Sequence, residues 1–238
     1  MNSFDRIPLD PIQLLLDFLY KECGVSFAIL SYVANFWYKQ TGIYIRSIGG
    51  TSLYLYGKRN REIVCHEIAS KGYSRVLKWA REIGCQWDNS TCNGAARGGH
   101  LELLQWVIQE GCTWNNAAGV SAARGGHLHI LKWLVDLGCR LNAYTAREAA
   151  RYGHLKVLKW LRKRNCPWDP SVCSYAAMNG HLHILKWARL NGCPWDDHTC
   201  RYAIFYDHRE IYIWARDNGC DCYQEDIRSA KYKWPDLF

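Results

Sequence analysis

The last two thirds of the chain repeat with a period of 27 residues, and the register holds over six copies. Two columns mark the period, one of tryptophan and one of cysteine: Trp79, Trp106, Trp133, Trp160, Trp187 and Trp214, and Cys85, Cys112, Cys139, Cys166, Cys193 and Cys220. A fixed period of this length is typical of a solenoid, in which each unit buries its apolar face only against its neighbours. The period therefore predicts a stack of units and directs the search for function to positions where the copies differ.

Each copy contains a segment with the pattern of an amphipathic helix, here called helix B. Four copies read GHLELLQW (99–106), GHLHILKW (126–133), GHLKVLKW (153–160) and GHLHILKW (180–187), while the outer copies diverge to GYSRVLKW (72–79) and DHREIYIW (207–214). Within the second copy, the apolar positions Leu103, Leu104 and Val107 follow His100 at the spacing of a helix with one buried face.

A shorter helix, called helix A, is predicted upstream of helix B. An alanine pair recurs at Ala95-Ala96, Ala122-Ala123, Ala149-Ala150 and Ala176-Ala177. Small side chains at this phase allow helix A to pack closely against the next unit. A glycine that can adopt the left-handed conformation then ends helix A, at Gly99, Gly126, Gly153 and Gly180. The unit is therefore helix, tight turn, helix and short loop.

The segment AARGGHLELLQWVIQEGCTWN resembles the ankyrin repeat, whose pattern runs Ala-Ala, two residues, Leu-Glu-Val-Val and then Gly-Ala-Asp-Val-Asn. The resemblance covers residues 62–222 and implies an all-α, ankyrin-like solenoid of six 27-residue helix pairs. Helix A begins at Ser90-Thr91-Cys92-Asn93 in place of Thr-Pro-Leu-His. The unit is also shorter than the ankyrin period of about 33 residues. The whole deficit falls in the loop, so the projecting β-hairpin is expected to be absent or reduced to a turn.

The loop also departs from the ankyrin pattern in composition. Where ankyrin repeats carry Ala and Val, this chain pairs cysteine with tryptophan: Cys85 with Trp87, Cys112 with Trp114, Cys166 with Trp168, and Cys193 with Trp195. Buried indoles at the junction between units could replace contact area lost with the hairpin. Short units with Gly-Cys-Pro-Trp-Asp are similar to ankyrin-like repeats abundant in proteins of large DNA viruses. This resemblance implies a viral protein that acts in a host cell.

Residues 1–40 do not follow the period and have the pattern of two or three short helices. A start at Ile7-Pro8, an apolar helix and a closing Val with Trp resemble the F-box. The resemblance implies that this segment binds the Skp-type adaptor of a cullin-RING ubiquitin ligase through Pro8, Ile12, Leu15, Leu16, Leu19, Leu30, Val33 and Trp37. The spacing from Pro8 to Trp37 is a few residues longer than in the family. The alternative is a helical cap on the first repeat. Residues 41–61 are interpreted as a connector, and residues 223–238 as a C-terminal capping helix and tail.

Composition and cysteine spacing indicate a soluble protein of a reducing compartment. A hydrophobic content of 49% is ample for a core, and neither a long apolar run nor a secretory signal is present. Stacked helices lie about 10 Å apart, whereas the Cα atoms of a disulfide lie within about 7 Å. Cysteines of one column therefore cannot pair with each other, and reduced, buried thiols are expected. We expect a monomer in the cytoplasm or nucleus.

Regular columns of histidine and cysteine argue against catalysis or metal binding. The histidine column comprises His100, His127, His154, His181 and His208. Metal ligands must converge on one ion at about 2 Å each, whereas a column keeps its members one stacking step apart. We expect the histidines to form structural hydrogen bonds between repeats. No enzymatic activity, cofactor or metal is predicted, because a catalytic site requires unlike groups that converge.

The formal net charge is +8, and the repeats carry the excess. Arg97, Arg124 and Arg151 form a basic column. This column is expected to continue laterally through Lys132, Lys159, Lys186, Arg162, Arg189 and Arg216. Such a stripe could follow a nucleic-acid backbone or contact an acidic protein surface. The alternative is a solvated helix face with no partner.

Helix A is where ankyrin-type proteins usually bind, and two of its columns vary here. One runs Asn93, Val120, Arg147, Ser174, Arg201, and the next runs Gly94, Ser121, Glu148, Tyr175, Tyr202. Tyr144 and His198 lie near the same edge. Exposed Tyr and Arg are enriched in binding hot spots. The sequence therefore predicts a protein-protein interaction scaffold that binds targets on the helix A face.

Overall fold

The computed structural model describes residues 61–82 and 87–238, and these residues are helical and contain no strand. The helices are α1 Arg61–Ser70, α2 Ser74–Glu82, α3 Asn89–Gly98, α4 Leu101–Gln109, α5 Asn116–Gly125, α6 Leu128–Asp136, α7 Ala143–Arg151, α8 Leu155–Lys163, α9 Ser171–Met178, α10 Leu182–Leu190, α11 Asp197–Phe205, α12 Arg209–Asp217 and α13 Gln224–Lys233, followed by a 3-10 helix Pro235–Leu237. The F-box-like segment 1–40, nearly all of the connector and Cys85 lie outside the described residues.

The helices form a single stack of antiparallel pairs, which confirms the predicted ankyrin-like solenoid. Each odd-numbered helix from α3 to α11 is a helix A that packs on the preceding and following odd-numbered helices and on its own helix B. Within the described residues, the last helix, α13, packs on α11 and has no helix B. The connections between pairs are short loops, so the described units lack the projecting hairpin, as the period predicted. No helix within the described ranges is long and apolar enough to cross a bilayer.

Close packing of the A helices depends on small residues. Both alanines of each pair are fully or almost fully buried, for example Ala122 and Ala123 at 0% exposure. The helices approach so closely that a Cβ atom added to Gly125 would lie 2.2 Å from the carbonyl oxygen of Arg97 in the preceding helix A. The small-residue pattern therefore sets the separation of neighbouring units.

Side chains in the loops cap the N-termini of the A helices. Asp88 accepts a hydrogen bond from the backbone N–H of Ser90 at 2.8 Å, and Asn115 accepts one from Ala117 at 2.9 Å. At α7, the Asn142 side chain accepts from the backbone N–H of Thr145, as in a capping box. The acidic or amide residue after the loop Trp or Leu thus caps α3, α5 and α7, whereas Asp196 at the same phase makes no side-chain capping hydrogen bond to α11.

The histidine column links each unit to the preceding one, as expected from the sequence. The Nε2 atoms of the five histidines donate to backbone carbonyl oxygens 30 residues upstream, at distances of 3.0–3.2 Å: His100 to Ser70, His127 to Arg97, His154 to Arg124, His181 to Arg151, and His208 to Met178. Each acceptor lies near the C-terminus of a helix A, where carbonyl groups lack intrahelical partners. The expected hydrogen bonding between repeats is confirmed.

A glycine makes room for each of these rings. Gly126 has φ of +80°, and a Cβ atom there would lie 2.5 Å from Nδ1 of His154. No side chain can be added at this position without displacing the histidine. The Gly-His sequence of the four central units is therefore a packing motif as well as a helix terminator.

The cysteines are mostly buried free thiols, with one exception. Within the described residues, Cys112, Cys166 and Cys220 donate to the carbonyl of the capping residue 24 positions upstream, at 3.0–3.3 Å, and burial raises the pKa of Cys166 to about 11. However, Cys200 and Cys222 form a disulfide, with Cα atoms 5.9 Å apart. The expectation of reduced thiols is wrong for this pair, because Cys222 lies outside the cysteine column and approaches Cys200 of α11 from the following loop.

The tryptophans lie between the units but are only partly buried, which corrects the expectation of buried indoles. Loop and helix B indoles of adjacent units meet edge to face at centroid distances of 5.5 Å for Trp87–Trp106 and 6.1 Å for Trp168–Trp187. The Arg162 guanidinium covers the ring of Trp168 at 4.4 Å. Because the rings pack at the surface of the stack, they contribute less apolar burial than core residues would.

Candidate interaction face

Most of the residues predicted to bind a target have accessible side chains. The following are half-buried or exposed: Asn93, Arg97, Val120, Arg124, Tyr144, Arg147, Arg151, Tyr175, His198, Arg201 and Tyr202. Ser174 and Glu148 are buried, at 4% and 5% exposure. The Ser174 hydroxyl donates to the carbonyl oxygen of Ser171 within α9. These two residues are therefore placed to support the face from below.

Three arginines and three tyrosines alternate in a continuous contact chain, here called the arginine–tyrosine cluster. Its order is Tyr144, Arg147, Tyr175, Arg151, Tyr152, Arg124. The Arg147 Cζ atom lies 4.2 Å from the ring of Tyr144 and 5.3 Å from that of Tyr175. The remaining Cζ-to-ring distances are 5.3 Å, 5.6 Å and 4.8 Å. All are within the range of cation–π contacts.

Glu148 lies at the centre of this cluster and partly neutralises it. Its side chain is 7% exposed, and its carboxylate is 3.8 Å from Nε of Arg124, 3.5 Å from Nε of Arg147 and 3.9 Å from Nη1 of Arg151. These separations are those of ion pairs, longer than good hydrogen bonds. Three guanidinium groups face one carboxylate, so the cluster carries a local excess of positive charge.

An aromatic group lies beside the cluster on the C-terminal side, formed by His198, Tyr202, Phe205 and Tyr206. Tyr202 contacts Tyr175 of the cluster at a centroid distance of 6.2 Å and Tyr206 at 6.3 Å. Phe205 is 75% exposed and packs on Tyr206 at 4.9 Å. The helix A face therefore changes from cationic to aromatic along the stack.

Tyr152, Phe205 and Tyr206 were not predicted as site residues, although the sequence contains a signal for them. Tyr152 and Tyr206 occupy the phase at which Gly98 and Gly125 stand in earlier copies. A large aromatic side chain at a position that holds glycine in two earlier copies must project from the surface. Positions at which a large residue replaces the small residue of earlier copies thus indicate surface residues as well as the variable columns do.

Arg201 occupies the same column as Arg147 but has a different electrostatic environment. It forms ion pairs with Asp197 at 3.0 Å and Asp226 at 3.4 Å, and hydrogen bonding to Asp226 raises its pKa. Within the described residues, the ligand atoms of Asp196, Asp197 and His198 lie within 4.8 Å of one another and are the group that could hold a metal ion. Because Asp197 is already paired with Arg201, this end of the face is close to neutral.

The basic residues of helix B contact a different set of aromatic rings from those of helix A. Arg162 and Arg189 stack on Trp168 and Trp195, at 4.4 Å and 4.1 Å, beside the junctions between units. None of the described helix B arginines contacts the arginine–tyrosine cluster. The basic residues therefore divide into two sets by their contacts.

Comparison with known proteins gives a family match for part of the stack. Residues 92–172 match the family described as ankyrin repeats (3 copies). The match covers about a third of the chain. The crystal structure of the human ASB11 ankyrin repeat domain is similar to it, with a TM-score of 0.50, 18% sequence identity, and coverage of 66% of this chain and 84% of that chain. No curated protein sequence matches the chain.

The match to ankyrin repeats agrees with the helix-pair geometry of the stack. In this stack, the constant alanines, glycines and histidines maintain the packing, while the arginine–tyrosine cluster and the aromatic group occupy the surface. The residues available for binding are thus distinct from the residues that hold the units together.

Proposed function

We propose that this protein is an interaction scaffold that binds a target protein on the face formed by α5, α7, α9 and α11. The observation that carries the proposal is the continuity of the arginine–tyrosine cluster with the aromatic group. Tyr and Arg supply large contact areas together with directional donors, and here they project from a rigid helical stack. Tyr144 and Phe205, at 58% and 75% exposure, offer large aromatic surfaces to a target.

We further propose that the protein is a substrate-recognition adaptor of a cullin-RING ubiquitin ligase. The F-box-like pattern from Pro8 to Trp37 supports this role, since an F-box would recruit a Skp-type adaptor while the repeats hold the target. The short Gly-Cys-Pro-Trp-Asp units support an origin in a large DNA virus, which would place the complex in the cytoplasm or nucleus of a host cell. A monomer suffices for both contacts.

Co-purification from host cells tests the adaptor role. Wild type should retain a Skp-type adaptor, and a double variant with Leu16→Ala and Trp37→Ala should lose it. Lys159→Gln, an exposed change on α8, is the control and should retain the adaptor. If wild type recovers no adaptor where a known F-box protein does, the N-terminal segment is a cap and only the scaffold role remains.

Nucleic-acid binding is the weaker alternative, because the contacts of the basic residues do not form one track. A nucleic-acid backbone gains affinity from many phosphates neutralised along its length. Arg162 and Arg189 of helix B lie against tryptophans. The helix A face ends in the aspartate pairs of Arg201. Binding to random duplex that falls steeply with salt and is lost when Arg97, Arg124 and Arg151 are neutralised would reverse this ranking.

A further inference from the structure

We infer that the target segment held by the helix A face is acidic, with an apolar residue next to its carboxylates. This inference rests on the proposed scaffold function and specifies the chemistry of the partner. It follows from the unneutralised positive charge and the unused hydrogen-bond donors of the arginine–tyrosine cluster, and from the position of the aromatic group beside it.

The arginine–tyrosine cluster carries positive charge that the chain does not neutralise. Arg124, Arg147 and Arg151 share one carboxylate, that of Glu148, which leaves an excess of two positive charges on partly exposed side chains. Like charges held close together are costly unless an anion joins them. Carboxylates of a partner would complete the neutralisation that Glu148 begins.

The chain itself uses only part of the hydrogen-bond donors of the three guanidinium groups. Each arginine carries five N–H donors, yet the ion pairs to Glu148 are too long to use them fully. Within the described residues, the hydrogen bond made by these three side chains is that of Arg124 Nη2 to the Tyr152 hydroxyl. The Nε atoms of Arg124 and Arg147 are buried beside Glu148, so the donors that a partner can reach belong to the exposed parts of the three side chains. The cluster therefore holds more donors than the chain satisfies.

The tyrosine rings restrict the orientation of the guanidinium groups. A guanidinium group stacked on a ring presents its N–H groups at the edge of the plane, where a carboxylate can accept two of them. Tyr175 lies between Arg147 and Arg151, and Tyr152 lies between Arg151 and Arg124. Because the rings restrict the arginine side chains before binding, less conformational entropy is lost when a partner binds.

The cluster fits an acidic peptide better than a nucleic acid. Bases bind to proteins by stacking on free aromatic faces, but the rings of Tyr144, Tyr152 and Tyr175 already contact guanidinium groups. The excess charge is also confined to a short stretch, because Asp197 and Asp226 neutralise Arg201. A short acidic segment fits this arrangement better than a long polyanion.

The aromatic group fixes the second feature of the ligand. Phe205 and Tyr206 are exposed at 75% and 42% and lie next to the cationic stretch. An apolar side chain of the partner that packs there would remove this surface from water. The preferred segment therefore has its apolar residue toward α11 and its carboxylates toward α5 and α7.

A synthetic peptide provides the direct test. The three stacking steps from α5 to α11 span about 30 Å, so an extended peptide of about ten residues covers the face. The probe is a fluorescein-labelled peptide with glutamate at every third position and one phenylalanine at an end. Binding to the full chain is followed by fluorescence anisotropy, with the same peptide bearing glutamine in place of glutamate as the ligand control.

Matched variants place the binding site on the face. Arg151→Gln leaves two arginines around Glu148 and should weaken binding about tenfold, whereas Lys159→Gln removes the same charge from helix B and should leave binding unchanged. Tyr175→Leu keeps every charge and should also weaken binding, because it releases two guanidinium groups. Circular dichroism of each variant confirms that the stack is folded.

Several results would overturn the inference. These are equal binding of the glutamate and glutamine peptides, equal effects of Arg151→Gln and Lys159→Gln, or tighter binding of a single-stranded oligonucleotide of equal charge. Crosslinking in host cells distinguishes this failure from failure of the scaffold function. A protein crosslinked to the helix A face while the acidic peptide does not bind would retain the scaffold and reject the acidic ligand.

Discussion

The contact between Gly126 and His154 allows one prediction to be worked out in detail. Gly126→Ala would place a Cβ atom 2.5 Å from the histidine ring, which must then move away from its acceptor, the carbonyl oxygen of Arg124. Gly138 is the matched control, because it has a similar φ of +96° and nothing within 4 Å of an added Cβ atom. Its amide also bonds a carbonyl three residues upstream, as that of Gly126 does.

The two substitutions share all costs except the one that involves the histidine. A left-handed alanine costs about 1–2 kcal/mol, and the reduced entropy of the unfolded chain returns about 0.4–1 kcal/mol. Displacing His154 adds the loss of a hydrogen bond that leaves a carbonyl without its partner, about 1–3 kcal/mol. Gly126→Ala should therefore lower the free energy of unfolding by about 2 kcal/mol more than Gly138→Ala.

Urea unfolding followed by both circular dichroism and tryptophan fluorescence measures this difference, provided that the slope with urea is unchanged. A His154→Ala background supplies the double-mutant cycle. In that background, Gly126→Ala should cost no more than Gly138→Ala does in wild type. If both alanine variants are equally destabilised in the wild-type background, the histidine ring does not lock the units as described.

Three further predictions concern protonation, packing and thiol chemistry. Burial lowers the pKa of His127 and His181 below the ordinary 6.5, so the unfolded chain binds more protons than the folded chain. The free energy of unfolding should therefore fall as pH decreases from about 7 to about 5; a rise over this range in chemical denaturation would contradict the burial of the histidine column. Trp133→Ala should cost about 2 kcal/mol, less than Leu134→Ala, because the indole is only half-buried whereas Leu134 is fully buried; the reverse order in urea unfolding would refute this. Cys166, with its pKa raised to about 11 and 3% exposure, should react with iodoacetamide at pH 8 only in denaturant, as mass spectrometry can determine; rapid labelling of the folded protein would exclude this burial.

The sequence predicted the features that depend on one unit and its neighbours at constant phase. The helix pairs, the missing hairpin and the histidine links all follow from a period without slips, because identical neighbours create identical contacts. The sequence did not predict that the tryptophans lie at the surface of the stack. Periodicity gives the spacing of a column but not the side of the helix pair on which its side chains lie.

The features that were missed arise where the chain departs from its own period. The Cys200–Cys222 disulfide forms because Cys222 lies two residues beyond the cysteine column, in a loop that approaches α11. The alternation of arginine and tyrosine needs Tyr152, which replaces a glycine of the earlier copies. Columns of single residues cannot show how side chains from different columns stack on one another, since that depends on their rotamers.

The histidine links have a consequence for how such a chain can change in length. Each of the four central units contains both a histidine that donates to the preceding unit and a carbonyl that accepts from the following one. Removal of residues 127–153 would place His154 directly after Gly126, in the position that His127 now occupies. Loss or duplication of one 81-nucleotide coding segment would therefore leave each junction intact. The array can be lengthened or shortened by recombination, while its surface residues evolve separately in each copy.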